Sequence, residues 1–479
     1  MVDSRPENVS YSSVPSGRHK GKTHITIVGA GIIGVCTAFY LTRHAKFDPE
    51  KYHITILESK RVAGGASGKA GGLLALWAFP QQIVPLSFQL HSDLSQEFDG
   101  EDEWGYRRLT TLSVQGDISG QGIKGKEKSA NTQQRKSAVT KNSIQVKSDL
   151  ETEPSTLPES LNWIDKEFIK EWNQLGNEQT TAQVHPYKFT TFILKECLKS
   201  EAVELLIGKV DDILFDDETG HCNGVVYSPS STKAVYDQSI GKKYELESDK
   251  VIMSIGPWTT KILPDCPISG LRAHSITIKP KEPEIAPFAI FSELKTGPRK
   301  FASPEMYARK DEIYVCGEGD TTVPIPETTD DVEIVSEKCD ELLNYVSCIS
   351  SNIRNGKILK TQACYLPVVD IPSSSGPLIG ETNVPNLYLA SGHSCWGINN
   401  APATGLLMSE LILDGEAHTC DISALDPSLY FDASLIYDSE NDSEEVEEEE
   451  DISGDTEDED DDENEVDDND ITAAFRVRQ

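Results

Sequence analysis

The run HITIVGAGIIG, His24 to Gly34, constrains this chain more than any other. An apolar strand pattern passes directly into G-x-G-x-x-G at Gly29, Gly31 and Gly34, and Ile33, Cys36, Tyr40 and Leu41 follow at helical spacing. The first glycine permits a tight turn, and the second lets backbone approach a pyrophosphate. The third allows close helix-strand packing, with phosphate held at the helix N-terminus. A second strand, HITILES, ends near Glu58, where a carboxylate accepts hydrogen bonds from ribose hydroxyls. An acid there repels a 2′-phosphate and disfavours NADP, although Lys60 and Arg61 stand close by. This is the opening of a βαβ unit.

The motif alone does not separate NAD from FAD. The stretch after Glu58, GGASGKAGG from Gly64 to Gly72, puts five glycines in nine positions. That composition suits backbone lying against a flat, phosphate-bearing ligand rather than packing a core. Near the other end, NLYLASGHSCWGINNAPATG reads as strand, glycine turn and helix, with Gly392 and Gly397 bracketing His393. A helix starting near Ala401 to Thr404 aims its N-terminal amides at an electron-rich partner.

Charge separates the chain into body and tail. The net charge of −35 is concentrated in residues 438–470, which hold 22 acidic residues and no Lys or Arg. Removing those charges and the two arginines beyond them, Arg476 and Arg478, leaves −15 on residues 1–437. A body so acidic lacks the basic face that nucleic-acid binding needs. Residues 121–148 invert the sign, with seven basic residues against Glu127, and are expected to be a solvated polar insertion. Ten cysteines without a C-x-x-C pair or metal-ligand spacing imply reduced thiols and no metal. No apolar stretch is long enough to span a membrane, and no signal peptide is visible, so the expected location is cytoplasmic.

GAGIIG with Glu58, GASGKAGG, SIGPW at Ser254 to Trp258, and PLIG with NLYLASGHSCWGINNAPATG together resemble the FAD-dependent oxidoreductases of the D-amino-acid oxidase superfamily. More narrowly, ESKRVAGGASGKAGGLLALWAFP and EWGYRRLT resemble the fungal topoisomerase I damage affected protein 3 family. The narrower resemblance implies a link to retrieval of cargo from late endosomes to the Golgi.

The implied fold class is α/β plus α+β. A Rossmann-like FAD-binding domain spans 23–265 and 366–432, and a β-sheet-rich substrate domain spans 266–365. A disordered arm is expected over 1–22 and a disordered acidic tail over 433–479. The resemblance implies non-covalent FAD held by Gly29, Ala30, Gly31, Ile32, Ile33, Gly34, Glu58 and Ser59. Further contacts are implied from Ala66, Ser67, Gly72, Leu73, Val210, Gly256, Trp258, Gly392, Gly397 and Ile398. Lys69 stands where relatives with a covalent flavin carry histidine, and Cys395 is a weak substitute.

One departure concerns the substrate. Glycine oxidase-like enzymes hold the substrate carboxylate with an arginine just before a proline, and here that segment is QACYLPVVD, with Leu366 before Pro367. Arg272, Tyr365 and His393 are the remaining polar candidates. The implied activity is oxidation of a C–N bond in an amine or amino-acid-like molecule. The rival reading is a flavin-containing regulator or adaptor of endosomal trafficking, meeting a protein partner through the basic loop or the acidic tail. An NAD-dependent dehydrogenase leaves the GGASGKAGG stretch unexplained.

Overall fold

The computed structural model describes residues 11–120, 157–230, 242–372, 374 and 376–436. The polar insertion, the acidic run and residues 1–10 lie outside these.

Buried β-branched runs build the first sheet. Thr23–Val28 pairs in parallel with Tyr52–Glu58 on one side and with Lys250–Met253 on the other. Val203–Phe215 and Leu387–Ser391 extend the parallel core, and Cys222–Pro229, Tyr244–Glu247 and Leu378–Glu381 add antiparallel edges, giving eight strands. A parallel sheet is covered on both faces, so its strands read as near-continuous apolar runs, as ITIV and ITIL do. The helix Ile32–Arg43 packs against the helix Gly397–Asp414, and the contact is close: a Cβ on Gly405 would lie 2.5 Å from the Cys36 backbone.

The second sheet runs in the order Lys357–Val369, Ile268–Lys279, Ile313–Cys316, Glu305–Ala308, Phe288–Gly297, Thr110–Asp117 and Ile169–Gly176. The helix Ser336–Ile349 buries Cys339, Leu342, Val346 and Ile349 among Ile276, Ile278, Met306 and Val315 of this sheet. One face is thereby covered, and alternation turns the other side chains the opposite way. A small third sheet joins Leu73–Ala75, Thr181–Gln183 and Arg107–Arg108.

The architecture differs from the expected boundaries in four places. Thr110–Asp117 and Ile169–Gly176, expected in the nucleotide-binding part, join the second sheet through parallel pairing with Phe288–Gly297, a long-range contact that local pattern does not encode. Lys357–Val369 continues past 365. Residues 11–22 are not a free arm: Ser12 bridges Leu206, donating to the Leu205 carbonyl at 3.1 Å and accepting from Ile207 N–H at 2.8 Å, so it covers a strand edge. At the other end Ala433 is buried, its N–H donating to Asn383 Oδ1 at 2.7 Å, so the ordered body reaches 436 rather than ending at 432.

Candidate functional site

The first strand delivers its chain into a left-handed turn at Gly29, φ +102°, where a Cβ would meet the Ser254 carbonyl oxygen at 2.8 Å. The helix Ile32–Arg43 begins three residues later, with Gly31 as N-cap and no side-chain cap of its own. Ser67 supplies the nearest oxygen, its Oγ accepting from Ile32 N–H at 2.9 Å. Glu58 ends the neighbouring strand. Its Oε2 accepts from Ala30 N–H at 3.0 Å, and its Oε1 accepts from Lys60 N–H at 2.9 Å and Ser59 Oγ at 3.1 Å. Burial pushes the Glu58 carboxyl up, against the pull of those donors.

These groups line one end of a cavity of about 480 Å³, with Gly208 to Asp211, Gly256 and Trp258 beside them. The two cationic side chains on its wall, among the described residues, are Lys209 and Lys261. Both bind Glu327, at 3.3 and 2.7 Å.

The far wall comes from the second sheet. Ala273, Glu305, Tyr307, Tyr314, Cys316, Cys364 and Leu366 face the cavity, joined by His393, Cys395, Trp396 and Ile398. Antiparallel pairing sets Glu305 opposite Cys316 and Tyr307 opposite Tyr314, so four residues from one hairpin share a face. The Tyr307 and Tyr314 rings stack 5.8 Å apart, 3° from parallel. Arg309 pins the glycine-rich loop against this hairpin by donating to the carbonyls of Ala70 (2.6 Å) and Gly71 (3.1 Å).

The sequence profile of the family described as DAO, FAD dependent oxidoreductase, matches residues 24–411. The chain belongs to the FAD-dependent oxidoreductase family. The Saccharomyces cerevisiae protein named "Putative oxidoreductase TDA3" is 48% identical, the match covering 89% of this chain and 98% of that protein. A Schizosaccharomyces pombe relative is 35% identical over 84% of this chain and 97% of its own. Solved structures share the fold at low identity. L-proline dehydrogenase from P. horikoshii superposes with a TM-score of 0.60 at 18% identity, covering 85% of this chain and 97% of that one. Iminodiacetate oxidase from Chelativorans sp. BNC1 gives 0.59 at 17% identity, covering 84% and 98%.

FAD is the cofactor of this family, and the donor set fits it. The helix start at Gly31, whose N-cap contributes no side chain, would offer backbone to phosphate. Glu58 lines the cavity, where its carboxylate would accept from the ribose hydroxyls. Gly256, at φ +58°, has nothing within 4 Å of where a Cβ would stand, leaving open backbone on the wall.

The oxidoreductase's cavity gathers Gly29, Gly31, Ile32, Ile33, Glu58, Ser59, Ala66, Ser67, Gly72, Leu73, Val210, Gly256, Trp258, Gly397 and Ile398. Ala30, Gly34 and Gly392 are not on its wall. Ala30 acts through its N–H on Glu58, and a Cβ on Gly34 or Gly392 would strike Gly29 O at 2.2 Å or Val369 Cγ2 at 2.5 Å, so both are packing positions.

Of the three substrate candidates, only His393 lines the cavity. Burial drives its imidazole down to about 3, so it is neutral at pH 7, with Nε2 3.0 Å from Thr404 Oγ1. Arg272 and Tyr365 are register partners, and alternation turns both away from the face that carries Ala273, Cys364 and Leu366. Arg272 is spent on Asp320 (3.1 Å) and Glu333 (2.8 Å), and Tyr365 donates to the carbonyls of Val323 and Pro324. Neither side chain lines the cavity, contrary to the expectation that they offer polar contacts there. The helix expected from Ala401 starts at Gly397, with Pro402 inside it.

Sequence reasoning passed over Glu305, Tyr307, Tyr314 and Cys316. The available signal was i, i+2 alternation in EMYA and IYVC, which names a shared face only once the pairing is known.

Proposed function

We propose that the chain oxidises a C–N bond of an amine or amino-acid-like substrate, using FAD bound without a covalent link. The observation that carries this reading is the continuity of one cavity from the phosphate-and-ribose cradle at Gly31 and Glu58 to the aromatic wall at Tyr307, Tyr314 and Trp396. Bound FAD supplies the two-electron sink. The substrate carbon next to nitrogen gives up a hydride and the nitrogen a proton, leaving a C=N bond that water hydrolyses. Tyr307, Tyr314, Trp396 and Leu366 keep that carbon in a dry compartment. Lys69, in the position of the covalent histidine, donates its ammonium to the Ala363 carbonyl at 3.0 Å, which supports a free flavin.

The purified protein is expected to be yellow, to release free FAD on acid precipitation, and to bleach anaerobically with an amine. A yellow protein that no amine or amino acid bleaches removes the oxidation reading. The alternative is a flavin-holding regulator of endosome-to-Golgi retrieval. Leu366, on the cavity wall where glycine oxidase-like enzymes place arginine, favours it, as does the resemblance to the fungal family. Deleting residues 438–470 is then expected to abolish retrieval with flavin content unchanged, and retained retrieval removes this alternative.

A further inference from the structure

Glu305 is a carboxylate inside an apolar wall. Its Oε2 accepts from the Tyr307 hydroxyl and from Cys316 Sγ, the latter at 3.7 Å. Among the described residues no hydrogen-bond donor reaches Oε1. The side chain is only half-buried by surface, and it lines the cavity. A carboxylate has about four acceptor positions, and an ionised one in apolar surroundings is costly without a cation.

Among the described residues no protein cation takes that place. Arg309, four residues along the chain, donates to Glu312 and to the Ala70 and Gly71 carbonyls and lies over the Tyr314 ring, 4.9 Å from its centroid. Lys69 serves Ala363 O, Lys209 and Lys261 serve Glu327, and Arg272 lies on the other face of the sheet. Tyr307 and Trp396 line the same cavity as Glu305 and share one apolar cluster with Cys316 and Cys395, while the Tyr314 ring is covered by Tyr307 and Arg309. Aromatic rings about a single acid form the environment that holds alkylated ammonium groups, by cation–π attraction together with one counter-charge. Burial pushes the Glu305 carboxyl up, as expected of an acid whose partner arrives with the ligand.

We infer that Glu305, Tyr307 and Trp396 form a subsite for the positive nitrogen of an alkylamine that carries no carboxylate beside that nitrogen. This rests on the oxidation reading for its place at a reacting site and deepens it by naming the substrate class. A zwitterionic amino acid is disfavoured twice: its carboxylate finds no free cation on the wall, and it is brought close to Glu305.

The test uses two shape-matched probes, tert-butylammonium and pivalate. Neither has hydrogen on the carbon that bears its charged group, so neither is oxidised. Each is titrated into the flavin-loaded protein at constant ionic strength, by perturbation of the visible flavin spectrum and by calorimetry. We expect the cation to bind at least about tenfold more tightly than the anion, and Glu305→Gln to weaken the cation at least about tenfold with flavin content unchanged. Pivalate binding as tightly as the cation overturns the inference, as does cation affinity within about twofold of wild type in E305Q. No cation binding up to about 100 mM, weaker than any useful subsite, also overturns it. If E305Q does not fold, the cation-against-anion contrast in the wild-type protein decides alone. Glu305-dependent cation binding in a protein that no amine bleaches removes the oxidation reading and keeps the subsite. Bleaching by amino acids together with tight pivalate binding keeps oxidation and removes the subsite.

Discussion

His91 Nε2 donates to the carbonyl oxygen of Ile398 at 2.9 Å, where the helical donor would be residue 402, a proline with no N–H. Ser87, one turn earlier on the helix Val84–Phe98, accepts from the next amide, Ala403 N–H, at 3.1 Å. Two side chains of one helix thus cover the break in another, beside the Ile398 that lines the cavity. Replacing His91 with Phe keeps an aromatic ring but strands the buried carbonyl, a cost of about 1–3 kcal/mol. Adding Pro402→Ala gives the carbonyl an amide again, so the double variant is expected to be more stable than His91→Phe alone. Denaturant unfolding of the four proteins in the cycle measures this, and strict additivity would refute it.

The glycines of the first turn divide into an open cavity position and a packing position. A Cβ on Gly31 meets only Ser67 Oγ, at 3.1 Å, and the backbone there is extended, with φ −75° and ψ 173°. A Cβ on Gly34 would sit 2.2 Å from Gly29 O and 2.5 Å from Ser254 Oγ. Gly31→Val is therefore expected to fold with a near-normal melting temperature and to purify colourless. Gly34→Ala is expected to lose stability whether or not FAD is added. A yellow Gly31→Val protein would count against the phosphate cradle.

Legibility followed contiguity. The phosphate turn needs consecutive backbone groups, so Gly29 to Gly34 with Glu58 could be read directly, as could GGASGKAGG. The substrate wall is assembled across strands. Glu305 and Cys316 lie eleven positions apart and meet only through antiparallel register. Arg272 and Tyr365 looked available because polar side chains near a site attract attention. Yet they sit on the opposite phase of alternation from Leu366, and the acids that neutralise Arg272, Asp320 and Glu333, come from elsewhere in the chain. Domain boundaries failed for the same reason, since Thr110–Asp117 reaches its sheet by a parallel pairing with residues far along the chain.

Acid is expected to unfold the protein early. Burial lowers His24, His91 and His274 to about 4, His393 to about 3 and His185 to about 2, against an ordinary 6.5, and lowers His19 as well. The folded state holds them neutral, so their contribution is complete above about pH 6.5 and is lost progressively as pH falls toward 4. Glu58 and Glu305, raised by burial, act the opposite way, two groups against six. The melting temperature should fall between pH 6.5 and 4.5, before most carboxylates protonate. A flat profile over that window would show that the histidines do not govern it.

Every residue on the cavity wall lies between Val28 and Ile398. A protein ending at Ile436, with the 22 acidic residues of 438–470 removed, is accordingly expected to retain FAD at full stoichiometry. Flavin content per chain, read as the visible-to-ultraviolet absorbance ratio, checks this, and loss of flavin on truncation would contradict it.

The last expectation concerns ordinary amino acids. A carboxylate entering this compartment sheds its water, and the wall at the expected contact presents Leu366 and Pro367. Lys209 and Lys261 are held by Glu327 at the nucleotide end, and Arg272 is buried in its own ion pairs on the far face of the sheet. Loss of a buried charge-assisted partner costs about 2 to 5 kcal/mol, on the order of thirty to several thousand fold in binding or rate. Peroxide release with glycine, sarcosine, proline and D-alanine is therefore expected to stay well below that of an arginine-bearing amino-acid oxidase assayed in parallel. The deficit should persist in Arg272→Lys, because that side chain does not reach the cavity. Turnover within about tenfold of the control on any of the four would mean that the cost at Leu366 is met by some other group, and a carboxylate would then belong in this site.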